Sequence, residues 1–225
     1  MTEDEQKLAA AKEAVTHITD GMVVGLGTGS TAAKMVDLVG EKVKNGLDII
    51  AVPTSEATAS QAKKLGIKVV GLDEVSVIDL TIDGTDEVDP QMRLIKGGGG
   101  AHLREKIVAS LSDKMIVIAE NKKMVEKLGK FKLPVEVIPF ASGALLPKME
   151  ALGCQPSLRM QGDKLFYTDE NNLIIDCAFE QIEDPEELAL TLSTIPGVVE
   201  HGLFIDYADL VLIGTDEGVK QFERS

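Results

Sequence analysis

The sequence predicts an α/β protein: a Rossmann-like, mostly parallel sheet with helices on both faces, joined to a smaller ferredoxin-like α+β domain. Three observations carry this prediction. Short apolar runs alternate with helical periodicities over about the first 130 residues. Those runs are continuous rather than alternating, as in strands buried on both faces. After Lys130 the order of elements changes to β-α-β-β-α-β, the pattern of a split βαβ unit. The expected division is 1–130 with 205–225 for the larger domain and 131–204 for the smaller.

Each element has a local reason. Thr2 followed by Glu5 reads as a capping box, and Leu8, Ala11, Val15 and Ile18 recur at helical spacing, so a helix is expected to about Asp20-Gly21. Met22–Leu26 is an apolar strand that meets Gly27-Thr28-Gly29-Ser30-Thr31 and then a helix over Ala32–Gly40. Strands are expected at Leu47–Val52, Lys68–Val70, Val77–Ile82, Arg93–Ile95 and Met115–Ala119, with helices over Ser55–Leu65 and Leu103–Leu111. In the smaller domain the strands are Val135–Ile138, Ser157–Gln161, Leu173–Phe179 and Val198–Phe204, and the helices Gly143–Leu152 and Pro185–Ser193. Thr168-Asp169-Glu170-Asn171-Asn172 supplies a turn between the middle strands. A last strand, Leu210–Ile213, and a short tail helix are expected to return to the larger domain. Gly214-Thr215-Asp216-Glu217 then reads as an ordinary turn and helix start.

Composition narrows the function classes. The chain has 225 residues, 44% hydrophobic and 27% charged, and a net charge of −14. That charge argues against nucleic acid or an anionic membrane surface as the main partner. An anionic small molecule would need a local cluster of lysines and backbone N–H groups. Cys154 and Cys177 give neither metal-ligand spacing nor a disulfide framework, so a reducing cytoplasm is the simpler reading. The acidic start, Met1-Thr2-Glu3-Asp4-Glu5, does not read as a secretory signal. No apolar run approaches the roughly 20 residues of a membrane span.

The most informative stretch runs from Asp83 to Glu105. It contains Asp83-Gly84-Thr85-Asp86-Glu87, then Lys96-Gly97-Gly98-Gly99-Gly100, then Arg104-Glu105-Lys106. Lysine at the end of a buried strand needs a negative partner, and four glycines carry an entropy cost that a simple turn does not require. Lys96 and the loop N–H groups therefore suit a developing oxyanion. Asp83 and Asp86 fall where strands of open α/β sheets end and ligands collect, although Asp-Gly is also common turn chemistry. Glu105 is a candidate base through its place beside the glycine loop; locally, Arg104-Glu105-Lys106 equally resembles a solvated face. His102 beside the loop is a second acid–base candidate of weaker standing.

The earlier loop, Gly25-Leu26-Gly27-Thr28-Gly29-Ser30-Thr31, resembles a dinucleotide fingerprint but has Ser30 at the third glycine position. The second strand ends in Pro53-Thr54-Ser55 without the acidic residue that a ribose would require, which disfavours NAD. Two hydroxyls and free N–H groups at a helix start suit a phosphate monoester, and a tight turn with an N-cap is the alternative. Lys122 and Lys123 follow another strand end.

Together these blocks closely resemble the ribose-5-phosphate isomerase family, type A. Further matching blocks are Gly129-Lys130-Phe131, Leu133-Pro134-Val135-Glu136-Val137-Ile138-Pro139, and Pro196-Gly197-Val198-Val199-Glu200-His201-Gly202-Leu203-Phe204, so the resemblance spans nearly the whole chain in order. It implies interconversion of ribose 5-phosphate and ribulose 5-phosphate through an enediol(ate), with no metal or organic cofactor. It makes Glu105 the base between C2 and C1, and gives Asp83 and Asp86 the hydroxyl protons, including ring opening. Lys96 with Gly97, Gly98 and Gly99 would hold the enediolate charge. Thr28, Gly29, Ser30, Thr31 and Lys123 would bind substrate, chiefly its phosphate, with Gly84 and Thr85 in the adjoining loop. Lys7 matches a family lysine of unspecified role. A cytoplasmic homodimer, or a tetramer of dimers, is also implied.

Two positions depart from the family pattern: alanine often stands at Gly100 and an apolar residue at His102. His102 would either perturb Glu105 or face solvent. The rival readings are another sugar-phosphate isomerase, a CoA-transferase with a glutamate nucleophile, or a sugar-phosphate-sensing regulatory module. The compact length and the Asp83–Asp86 pair favour the pentose isomerase. A regulatory module would be expected to carry a DNA-binding extension, and the acidic N-terminus does not read as one.

Overall fold

The computed structural model describes residues 1–224. Helix α1 (Glu3–Ala14) begins with the expected capping box: Thr2 Oγ1 accepts the Glu5 N–H, and the Glu5 carboxylate accepts the Thr2 N–H at 2.7 Å. It gives way to a 3₁₀ turn at Val15–His17, earlier than the periodicity suggests. β-Branched Val15, Thr16, Ile18 and Thr19 fit poorly in a helix, and Thr16 Oγ1 donates to the Glu13 carbonyl at 2.6 Å. There follow β1 (Val23–Leu26), α2 (Ser30–Lys44), β2 (Ile50–Pro53), α3 (Glu56–Lys64), β3 (Lys68–Val69) and β4 (Leu80–Gly84). Next come β5 (Glu87–Val88), β6 (Leu94–Ile95), α4 (His102–Ser110) and β7 (Met115–Glu120). The chain continues with β8 (Leu133–Val137), α5 (Ser142–Glu150), β9 (Gln155–Leu158), β10 (Met160–Gln161), β11 (Lys164–Leu165) and β12 (Leu173–Ala178). It closes with α6 (Pro185–Ser193), β13 (Val198–His201), β14 (Leu203–Phe204), β15 (Leu210–Thr215) and β16 (Gly218–Glu223).

Two compact units result. The first comprises 1–85, 104–124 and 206–225, of which the last residue lies outside the described range. Its sheet has the order β16-β15-β7-β4-β1-β2-β3, parallel throughout except for the β15–β16 pair. The chain moves outward from β1 to β3, then returns to β4 on the other side of β1. The loops after β1 and β4 therefore leave the sheet at its topological switch point, where ligands of such folds bind. Val24, Leu26, Ile82, Ile116, Ile118 and Leu212 form the buried centre with α1 and α2 packed on it. Gly25 keeps β1 bare because a side chain there would collide with Thr81 and Val108.

The tail corrects one expectation. No helix follows β15; the chain turns through Asp216-Glu217 into β16, which pairs antiparallel with β15. Thr215 Oγ1 accepts the Glu217 N–H and donates to the Gly218 carbonyl, and Gly218 takes φ +122°, so the turn favours a hairpin over a helix start.

The second unit comprises 86–103 and 125–205. Its main sheet, β13-β8-β12-β9, is antiparallel, with its strands in the spatial order 4-1-3-2 of a split βαβ unit. Leu133, Val135, Val137, Ile175 and Cys177 pack with Leu145, Met149 and Leu192 from α5 and α6. Cys154 and Cys177 are free buried thiols; hydrogen bonding from Cys154 and burial hold Cys177 far above its ordinary pKa. The expected strand Val198–Phe204 is broken at Gly202, and β14 joins β6 and β5 in a separate three-stranded sheet. Residues 86–103 and 125–130, assigned to the larger domain on sequence, cluster with this unit instead. Buried Glu87 supplies one reason: its carboxylate accepts the N–H groups of Gly129 (2.7 Å) and Phe131 (2.5 Å). The β10–β11 hairpin was not foreseen.

Replacing Glu87 with glutamine turns an amide donor toward one of those two N–H groups. Glu87→Gln should cost about 1–3 kcal/mol, measured as a lower denaturant midpoint at unchanged m-value.

Candidate active site

In the first unit the switch-point loops are bound together by Asp83. This residue is fully buried at the end of β4, and its Oδ1 accepts the N–H groups of Thr28 (3.0 Å) and Gly84 (2.7 Å). A side chain at Gly27 would strike the same carboxylate, which accounts for that glycine. Thr28 is held from the other side: its hydroxyl lies 2.7 Å from Thr54 Oγ1, 2.9 Å from Ser55 Oγ and 3.2 Å from Thr58 Oγ1. Thr54 and Ser55 stand where a dinucleotide-binding protein would need its acidic residue. They serve instead to fix the loop.

That loop opens α2 with Gly29 at the N-cap, φ +109°, and no side-chain cap. By contrast α1, α3 and α6 are capped by the side chains of Thr2, Ser55 and Asp184, while α5, like α2, has no side-chain cap. The first turn of α2 also lacks acidic residues, and Gly29 and Ser30 are exposed while Thr31 is buried. N–H groups and hydroxyls are thus presented to an external anion with the helix dipole behind them.

Also in this unit, Glu105 is 4% exposed and Lys106 is buried beside it, so the solvated-face reading of this segment fails. Arg104 turns outward and pairs with Glu56 at 2.8 Å. Lys123 lies in the 3₁₀ turn Asn121–Lys123 after β7. Lys7 of α1 pairs with Glu3 at 2.8 Å, and that bond, helped by the nearby charges of Glu120, Glu3 and Asp4, holds its pKa above the ordinary value.

In the second unit the glycine loop has a built seat. Gly97 and Gly100 take φ +105° and +76°. A side chain at Gly97 would meet the His102 ring, one at Gly98 the Asp86 carboxylate, and one at Gly100 the Phe166 ring. Asp86 Oδ2 accepts the Gly98 N–H at 2.7 Å. Lys96 is 2% exposed, with Nζ 5.4 Å from the centre of the Phe204 ring. Beneath the loop, Arg159 Nη1 donates to the carbonyls of Gly97 (2.8 Å) and Gly98 (3.2 Å). Sequence reasoning missed Arg159, whose only signal was a charge inside an expected strand.

His102 does not face solvent. It is fully buried, with Nε2 3.9 Å from Glu136 Oε2. Glu136 Oε1 accepts from Thr168 Oγ1 and Asn172 Nδ2, both at 2.9 Å. Burial still raises the Glu136 pKa above the usual carboxylate range, opposed by those two bonds and reinforced by the charges of Glu170 and Glu200.

Among the described residues no group of three or more His, Cys, Asp or Glu side chains is placed to hold a metal ion, and no helix is long and apolar enough to cross a membrane. The fold and these clusters define a class: an α/β enzyme for acid–base chemistry on a small anionic substrate.

Comparison with known proteins makes the class specific. Residues 50–218 match the family model for ribose 5-phosphate isomerase A (phosphoriboisomerase A). Ribose-5-phosphate isomerase A of Parvibaculum lavamentivorans is 51% identical, over 99% of this chain and 100% of its own. A solved D-ribose-5-phosphate isomerase in complex with phospho-erythronic acid superposes with TM-score 0.97 at 44% identity, covering 100% of both chains. The enzyme from Methanocaldococcus jannaschii gives 0.94 at 40% identity, covering 99% of this chain and 100% of its own. The chain belongs to the ribose 5-phosphate isomerase A family.

A raised folded pKa at Glu136 means that its stabilising contribution is complete below the unfolded value, near 4.5, and is lost as pH rises through the higher folded value. Glu136→Gln keeps an oxygen for Thr168 and Asn172. Its stability relative to the parent should therefore increase from pH 4 toward neutrality, as read by chemical denaturation across that range.

Proposed function

We propose that the chain interconverts D-ribose 5-phosphate and D-ribulose 5-phosphate through an enediolate, without metal or organic cofactor, as a step of the non-oxidative pentose phosphate pathway. The observation that carries this reading is Glu105: a buried carboxylate in the first turn of α4, directly after a glycine loop whose Gly98 N–H is held by Asp86. Aldose–ketose isomerisation needs a base at C1–C2 and an electrophile for the oxygen that gains charge. Glu105 takes the proton from C2 and returns it to C1. Lys96 and the N–H groups of Gly97 and Gly99 stabilise the enediolate, with Gly98 in the same substrate-binding loop fixed through its N–H on Asp86.

Asp83 and Asp86 handle the hydroxyl protons, including those of ring opening. Thr28, Gly29, Ser30 and Thr31 at the start of α2, with Lys123, take the phosphate. Gly84 and Thr85 line the same loop. The functional unit in this reading is a cytoplasmic homodimer, or a tetramer built from such dimers. The family match over most of the chain disfavours the CoA-transferase and regulatory readings.

Positioned general-base catalysis contributes about 10²–10⁴-fold, so Glu105→Gln should lower kcat by at least that range. Near-normal turnover in this variant sinks the base assignment. Lys96→Ala should cost about 3–4 kcal/mol in kcat/KM if it serves the oxyanion, whereas Lys123→Ala should mainly raise KM. The relative crystallised with phospho-erythronic acid suggests a further check. That compound joins a phosphate to a planar carboxylate shaped like the enediolate oxygens, and it should inhibit this chain competitively with ribose 5-phosphate.

A further inference from the structure

The glycine loop has a support that the chemistry above does not use. Arg159 follows β9 on the second unit, and its guanidinium is engaged on two edges. Nε and Nη2 grip Asp176 at 3.0 and 2.5 Å, while Nη1 holds the carbonyls of Gly97 and Gly98 at 2.8 and 3.2 Å. The group also lies 5.8 Å from the centre of the Phe166 ring, the ring that occupies the space behind Gly100. The Arg159 and Asp176 side chains are only 13% and 17% exposed. This two-edged grip requires the planar fork of arginine; a lysine ammonium cannot reproduce it.

The targets of Nη1 give the arrangement a direction. A trans peptide places its carbonyl and N–H on opposite sides. Holding the Gly97 and Gly98 carbonyls from beneath turns the N–H groups of Gly98 and Gly99 away from Arg159. A hydrogen bond to a peptide oxygen also polarises that peptide and strengthens its N–H as a donor. The Gly98 N–H meets Asp86 at 2.7 Å, so the loop is tied by a carboxylate on one side and a guanidinium on the other. Asp176 holds the cation in place and prevents it from swinging out to solvent.

We propose that Arg159, held by Asp176, is a positioning residue for the reaction: through the Gly98 carbonyl it orients and polarises the Gly98–Gly99 peptide so that the Gly99 N–H stabilises the enediolate, while its hold on the Gly97 carbonyl seats the peptide whose N–H Asp86 receives. The inference rests on the isomerase reading and deepens it. Arg159 acts through the loop, so its loss affects the step in which charge develops more than the capture of the phosphate.

The test compares the full-length parent with Arg159→Ala, Arg159→Lys and Asp176→Asn in ribose 5-phosphate turnover, in affinity for phospho-erythronic acid and in thermal melting. Arg159→Ala should lower kcat about 10–100-fold with KM changed less than about threefold, and weaken phospho-erythronic acid by a comparable factor. Guanidinium ion added to this variant should restore part of kcat, whereas Arg159→Lys should recover little. Asp176→Asn should show a smaller loss of kcat in the same direction. An Arg159→Ala enzyme with a lowered melting temperature and kcat within twofold of the parent makes Arg159 a structural fastener and overturns the proposal. Should that variant fail to fold, the same kcat criterion applies to Asp176→Asn, which retains the arginine. Absence of turnover in the parent would refute the isomerase reading itself, a result distinct from any difference between variants.

Discussion

The first unit depends on one buried carboxylate. Asp83 Oδ1 receives N–H groups from the loop after β1 and from the end of its own strand, at 3.0 and 2.7 Å. A carboxylate oxygen buried in a protein core must be satisfied by donors, and here the donors are backbone N–H groups of the loop after β1 and of the end of β4. The glycine at 27 exists because the carboxylate occupies its side-chain space. Thr28 is then fixed by three hydroxyls from the β2–α3 region, and α2 begins with its N–H groups pointed outward and uncapped. Loop, helix start and carboxylate form a single mechanical unit.

The second unit builds its glycine loop by the same means. Three of the four glycines cannot carry a side chain because Asp86, His102 and Phe166 occupy the space behind them. The loop is therefore not a flexible tether. It is a short stretch of backbone pressed onto a rigid seat, with its carbonyls held by Arg159. A seat of this kind lowers the reorganisation required when charge develops on a bound substrate. His102 and Glu136 lie behind it as a buried pair, which gives the histidine a place in the packing of the loop.

Much of this was legible in the sequence, for identifiable reasons. The parallel sheet showed itself through continuous apolar runs such as Met115–Ala119, every residue of which is buried in β7. The helix start at Thr2 followed from capping chemistry. The Lys96–Gly100 run stood out because burying a lysine and fixing four glycines both cost free energy. Three features could not be read. The tail formed a strand because its fate rested on the φ of Gly218 and a neighbouring edge strand, neither visible locally. His102 and Glu136 are 34 residues apart, and Arg159 is about 60 residues from the carbonyls it holds. Such pairings arise only when the antiparallel sheet of the second unit assembles.

The central claim is that a proton leaves C2 of ribose 5-phosphate, resides on a protein carboxylate and arrives at C1. The most direct measurement is isomerisation in D₂O containing EDTA, with the sugar phosphates recovered at equilibrium and their C–H positions read by NMR or mass spectrometry. The account predicts ribulose 5-phosphate formation undiminished by the chelator, with solvent deuterium entering C1 of the ketose and C2 of the recovered aldose. Incorporation can be incomplete in early turnovers, because a shielded base can return the original proton. Sustained interconversion with no deuterium in either sugar after prolonged incubation, or loss of turnover on chelation, would contradict it.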